Sequence, residues 1–180
     1  MILGLDTSAD QCMVALVGQD HVLSRSEAMS LGHAERLFPM IEDVLEEAGV
    51  GFANLARVAV CVGPGSFTGL RVGVAAARGL ALGCGIPAIG VTRFEAVWDG
   101  ACDMVALPGR PGQIYVQRFG ADGPLGKPEI RNGEAASLLA DVERIARLAA
   151  GRDPGPMPAP LYLRPADAAP SKDQPPPRIV

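Results

Sequence analysis

Val58-Ala59-Val60-Cys61-Val62, then Gly63-Pro64-Gly65-Ser66-Phe67-Thr68-Gly69, then Leu70 to Leu82: this stretch decides the fold. The first segment, opened by Arg57, is apolar and rich in β-branched residues, which suits a buried strand. The second is a glycine-rich turn. The third reads as a helix with Gly69, Gly73, Ala77 and Ala81 at four-residue intervals. That smooth stripe admits another backbone closely, at a propensity cost of roughly 1 kcal/mol per glycine. Leu70, Val74, Leu80 and Leu82 supply bulk around it. Ala88 to Val91 makes a further strand, and Thr92 to Trp98 a short helix capped by Thr92. Strand, helix and strand with short loops predict a parallel, right-handed crossover.

Toward the N-terminus, Met1 to Leu5 is a short apolar strand, and Asp6-Thr7-Ser8-Ala9-Asp10 reads as a polar turn. Cys12 to Val17 and His21 to Ser26 follow as strands around the turn Gly18-Gln19-Asp20, so an antiparallel meander is expected. From Leu31 to Ala48 the period becomes helical: Leu37, Met40, Ile41, Val44, Leu45 and Ala48 share a stripe. Ser30 is the expected N-cap and Gly49 the expected stop. Pro39 should kink this helix or delay its start. Past Gly100, strands are expected at Met104–Leu107 and Gln113–Phe119 around Pro108-Gly109-Arg110-Pro111-Gly112, and a helix between Glu134 and Ala150.

Composition bounds the function. Of 180 residues, 48% are hydrophobic, 20% charged and only 4% aromatic, so the core must be built from Ala, Val, Leu and Ile. A net charge of −4, with two lysines among sixteen basic residues, disfavours direct grip on nucleic acid. The four cysteines are scattered, which suits a reduced, cytoplasmic chain. No signal peptide and no membrane-spanning run is read.

The loop from Gly63 to Gly69, with Gly65, Ser66 and Thr68, admits two readings in balance. After a strand and before a helix it could present N–H groups to a phosphate; equally, its glycines could serve tight packing. It is not a Walker loop, since no Lys follows. Asp6, Thr7 and Ser8 could hold a metal–phosphate, or form an ordinary Asx-type turn, the better-supported reading for an isolated D-T-S. His33 and Glu35 lack the second imidazole that a zinc hydrolase needs one turn away, because position 37 is Leu. No metal site and no catalytic residue is expected.

Together, Ile2-Leu3-Gly4-Leu5-Asp6-Thr7-Ser8, His33-Ala34-Glu35-Arg36-Leu37 with Pro39-Met40, and Gly63 through Gly73 resemble the TsaB (YeaZ) family. Gly79-Leu80-Ala81, Ile86-Pro87 and Ile89-Gly90-Val91 continue the likeness, and Pro160-Leu161-Tyr162-Leu163-Arg164-Pro165 is similar to the family's closing motif. The likeness is close to about residue 98 and patchy beyond. It implies an α/β chain with the two-lobed, RNase-H-like fold of actin, sugar kinases and Hsp70. The expected division is 1–100 as the first lobe, 101–165 as a reduced second lobe and 166–180 as a disordered tail. It implies a non-catalytic subunit pairing with TsaD, which carries out threonylcarbamoyl transfer to the adenosine beside the anticodon. TsaE would join them, tRNA would be met indirectly, and the chain alone could form a homodimer. No cofactor is implied beyond weak ATP or ADP binding at the complex. In the family, two helices form the pairing surface. Carried onto this chain, that names His33, Leu37, Met40, Ile41, Val44 and Leu45 on one helix and Leu70, Val74, Ala77, Arg78 and Ala81 on the other. Asp6, Thr7, Ser8, Gly63, Gly65, Ser66, Thr68 and Gly69 would be a vestigial nucleotide loop. The rival reading is an ATP-binding phosphotransferase or ATPase of the same superfold.

Overall fold

The structure, a computed structural model, describes residues 1–19 and 21–164. The tail expected at 166–180 lies outside the described residues. Eight strands and four helices run in the order β1 (Ile2–Ala9), β2 (Gln11–Val17), β3 (Val22–Ala28), α1 (His33–Glu47), β4 (Arg57–Cys61), α2 (Phe67–Cys84), β5 (Ala88–Val91), α3 (Arg93–Val97), β6 (Met104–Pro108), β7 (Gln113–Gly120), β8 (Gly123–Asn132) and α4 (Val142–Ala150).

Five strands form one sheet in the order β3-β2-β1-β4-β5. The expected meander is present, with β1/β2 and β2/β3 antiparallel, and the crossover makes β1/β4 and β4/β5 parallel. β1, β2 and β4 are near-continuous apolar runs because the sheet is covered on both faces. α1 and α2 cover one face, burying Leu3, Leu5, Val14, Leu16, Val58 and Val60. α4 covers the other, setting Ile145 and Ala149 against Ala59, Cys61 and Ile89. Gly4 makes this layer close: a Cβ there would stand 2.7 Å from the Val142 carbonyl oxygen.

The second sheet is antiparallel, β6-β7-β8, and packs against α3 through Phe94, Val105, Leu107 and Phe119. β8 has no counterpart among the expected strands. α4 also departs from expectation: it begins at Val142, and it lies on the first sheet although it falls in the stretch assigned to a second lobe.

Two local readings are corrected, and of the two alternatives at Pro39 the late start is removed. Asp6-Thr7-Ser8 is no turn, because β1 runs through to Ala9 with all three residues buried. The N-cap of α1 is Gly32, at φ +86°, and it makes no side-chain cap. α1 continues through Pro39. The apolar stripe that α1 buries on the sheet outweighs the missing amide bond, whose loss costs about 3 kcal/mol. Thr92 does cap α3, in a reciprocal pair with Glu95.

Candidate functional site: a packed glycine loop, a helix-pair groove and an inter-sheet cleft

The glycine loop is built to pack. Ser66 caps α2, its Oγ accepting the Gly69 N–H at 3.3 Å, while the Ser66 N–H donates to the Ser8 carbonyl at 2.7 Å. Thr7 Oγ1 donates to the Gly69 carbonyl at 2.7 Å. A Cβ on Gly69 would lie 1.9 Å from the Thr7 carbonyl oxygen, and one on Gly65 2.2 Å from that of Ser8. α2 therefore starts in backbone contact with β1. Gly63, at φ +104°, turns its carbonyl to accept the Arg93 N–H. Thr68 is exposed.

Asp6 lies beneath this contact and is fully buried. Its Oδ1 accepts the Ser8 N–H at 2.7 Å, and its Oδ2 has no hydrogen-bond partner. Burial pushes its carboxyl above the usual range, offset in part by the bonds from Ser8 and the charge of Arg93. The Cys61 thiol, 3.4 Å from Ser8 Oγ, is driven strongly upward by burial and by Asp6, so it is inert rather than nucleophilic.

The residues expected on a pairing surface resolve into two groups. Leu37, Met40, Ile41, Val44, Leu45, Leu70, Val74, Ala77 and Ala81 are buried, and the apolar ones on α1 meet the sheet rather than solvent. His33 is nearly buried, its Nε2 3.1 Å from the Ala9 carbonyl, so that it ties the start of α1 to the end of β1. Arg78 alone is exposed. The stripes read from periodicity are thus the core faces of α1 and α2, because a helix on a sheet buries its most apolar stripe first.

The faces turned outward carry a largely different set, with Leu37 shared. Ala34 and Phe38 of α1 and Arg71, Val72, Ala75 and Gly79 of α2 line an open apolar groove of about 510 Å³. Phe38 is 43% exposed, and Leu82, one turn past Gly79 on α2, is 80% exposed. Sequence reasoning named Leu37, which also lines the groove, and missed the others. The available signal was an apolar residue off the core stripe on each helix, Phe38 and Leu82. Beside the groove, the rings of Phe67 and Tyr162 pack tilted with centroids 4.9 Å apart, Arg71 covers the Phe67 ring, and Arg71 Nε donates to the Tyr162 hydroxyl. The segment resembling a closing motif is thereby laid against α2, with the Leu161 N–H bonded to the Val62 carbonyl.

Between the two sheets opens a cleft of about 450 Å³. Ser8, Asp10, Gly65 and Ser66 line one wall, Pro108, Arg110 and Tyr115 the other, and Arg93 lies between them. Among the described residues no group of three or more His, Cys, Asp or Glu side chains converges as metal ligands would. No helix among them is long and apolar enough to cross a membrane.

Comparison with known proteins places this architecture. Residues 24–127 match the family model described as TsaD, tRNA N6-adenosine threonylcarbamoyltransferase. The TsaB protein of Escherichia coli, named for tRNA threonylcarbamoyladenosine biosynthesis, is 34% identical over 67% of this chain and 55% of its own. The chain belongs to the TsaB/YeaZ family. TsaB of Haemophilus influenzae is also 34% identical, over 63% of this chain and 51% of its own. The chain thus spans about half the length of the curated TsaB relatives it matches. Two solved Pseudomonas aeruginosa structures share the TsaB/YeaZ fold. The structure described as an uncharacterized protein with similarity to peptidase YEAZ superposes with TM-score 0.78 at 26% identity, covering 91% of this chain and 99% of that one. The structure described as YeaZ gives 0.64 at 28%, covering 78% and 71%.

Proposed function

We propose that the chain is a cytoplasmic, non-catalytic subunit that pairs with a TsaD-type transferase and supports threonylcarbamoyl transfer to the adenosine beside the anticodon of tRNA. The observation that carries this reading is the apolar groove between α1 and α2, lined by Phe38 among others, with Leu82 exposed on α2 one turn past Gly79. A small-residue groove beside large exposed apolar side chains is costly in water and suits a partner's helices. The RNase-H-like topology of actin-type lobes agrees with the mixed sheet, and a TsaE-type ATPase would join the pair. Without its partner the same groove would pair two copies of the chain.

The groove, not the buried stripe, is the surface to test. Ala75→Arg and Gly79→Arg place cations where the backbone leaves room, Gly79 having no atom within 4 Å of a built Cβ. Both variants should keep the wild-type melting temperature and lose co-purification with the TsaD-type protein of the same cell. Pairing retained by both would overturn the assignment. The rival ATPase reading draws little support from Asp6 and Thr7, which are sealed from solvent. Calorimetric titration of the isolated chain with Mg-ATP should be silent.

A further inference from the structure

The net charge of −4 averages over two regions of opposite sign. Five exposed acids, Glu35, Glu42, Asp43, Glu46 and Glu47, stand on α1. On the three-stranded sheet the balance reverses. α3 covers one face of that sheet, meeting Val105, Leu107 and Phe119, and no described helix covers the other. The β7/β8 register pairs Val116 with Glu129, Arg118 with Leu125 and Ile114 with Arg131, which sets these residues on the uncovered face. There Arg118, Lys127 and Arg131 converge on a hollow of about 310 Å³, lined also by Val116 and Leu125.

Among the lining residues one carboxylate offsets these three cations. Glu129 accepts from Arg131 at 2.9 and 3.2 Å, and Arg131 also reaches Met104 Sδ at 3.9 Å. Arg118 and Lys127 are exposed and have no ion-pair partner among the described residues. Charges on an edge strand guard it against pairing with another sheet. That accounts for Lys127 and Arg131 on β8, but not for Arg118, which stands on the central strand β7. Unpaired cations on neighbouring strands suit a polyanion that runs across both. The aromatic side chains of β7, Tyr115 and Phe119, pack on the α3 side, so bases find no stacking platform here. What the surface offers is a grip on phosphates, indifferent to sequence.

We propose that the uncovered face of the β6-β7-β8 sheet contacts the sugar–phosphate backbone of an RNA through Arg118, Lys127 and Arg131. The choice of RNA rests on the proposed role in tRNA modification. The surface itself shares no residue with the α1/α2 groove.

Nuclear magnetic resonance on the full ¹⁵N-labelled chain, without any partner, tests it with unfractionated tRNA as the probe. The amides of Val116, Arg118, Leu125, Lys127 and Arg131 should shift saturably, with half-saturation at or below about 100 μM in about 50 mM salt. Raising the salt to about 200 mM should weaken binding about tenfold or more. Arg118→Glu combined with Lys127→Glu should weaken it by about tenfold or more and flatten its salt dependence. Both side chains are exposed, so the amide spectrum away from β7 and β8 should stay unchanged. Arg118→Lys with Lys127→Arg keeps the charges and should keep the binding. Polyglutamate is the second probe. Equal affinity for it would assign the face to an acidic protein and overturn the RNA proposal. So would no saturable shift with tRNA, shifts centred elsewhere, or binding unchanged in the double Glu variant. Co-purification with the TsaD-type protein judges the pairing reading separately, because no partner is present in this titration.

Discussion

At the scale of single residues, two glycines of α2 do opposite things. Gly69 is where the helix backbone meets Thr7, so Gly69→Ala forces main chain apart and should cost about 2–3 kcal/mol in urea denaturation. Gly79 faces open space, and Gly79→Ala should instead gain about 0.5–1 kcal/mol from helix propensity. Asp6 gives a second test at this scale. Its folded pKa lies above the unfolded value of 3.8, so the unfolded chain gives up that proton first as pH rises. Its contribution therefore favours folding below the unfolded value and fades as pH climbs toward the folded one. Asp6→Asn removes that dependence. Relative to wild type, its denaturation midpoint should improve as the pH rises above the unfolded value of 3.8. A difference that stays flat would show that Asp6 keeps an ordinary pKa.

At the scale of elements, the contrast between the buried and outward faces of α1 and α2 is directly measurable. Leu37→Ala empties a site with no solvent exposure and should cost about 2–5 kcal/mol, whereas Leu82→Ala should change stability by less than about 0.5 kcal/mol. This is also where the sequence was most and least legible. β4, the glycine loop and α2 could be read because β-branched residues, turn-formers and a helical stripe follow one another without ambiguity. The face of each helix that meets water could not be read, since periodicity marks the most apolar stripe and the sheet takes that stripe. β8 escaped because Gly123-Pro124-Leu125-Gly126-Lys127-Pro128 carries turn-formers that only an edge strand tolerates. α4 was drawn too long because the run from Glu134 has helical composition. The stop was nevertheless in view: Asp141 accepts the N–H groups of Glu143 and Arg144 and sets the true start. Arg93 was passed over because a lone arginine opening a short helix reads as surface, and only the tertiary structure closes over it.

At the scale of the whole molecule, arginines stitch the layers together. Arg152 donates to the Gly90 carbonyl at 2.9 Å and to Glu95 Oε1 at 2.5 Å, and Arg144 Nε donates to the Glu95 carbonyl at 3.1 Å. β5, α3 and the far end of α4 are thus held by one partly buried polar cluster. Arg152→Ala should cost about 1–3 kcal/mol, read as a lowered urea midpoint with the slope unchanged. The chain's single tryptophan adds a further consequence. Trp98 stacks on Phe119 at 4.6 Å, at the margin of the three-stranded sheet, while most of the helical residues lie on the five-stranded one. Indole emission and far-ultraviolet dichroism therefore watch different halves of the protein, so overlaying the two melting curves of one unlabelled sample would show whether they come apart together.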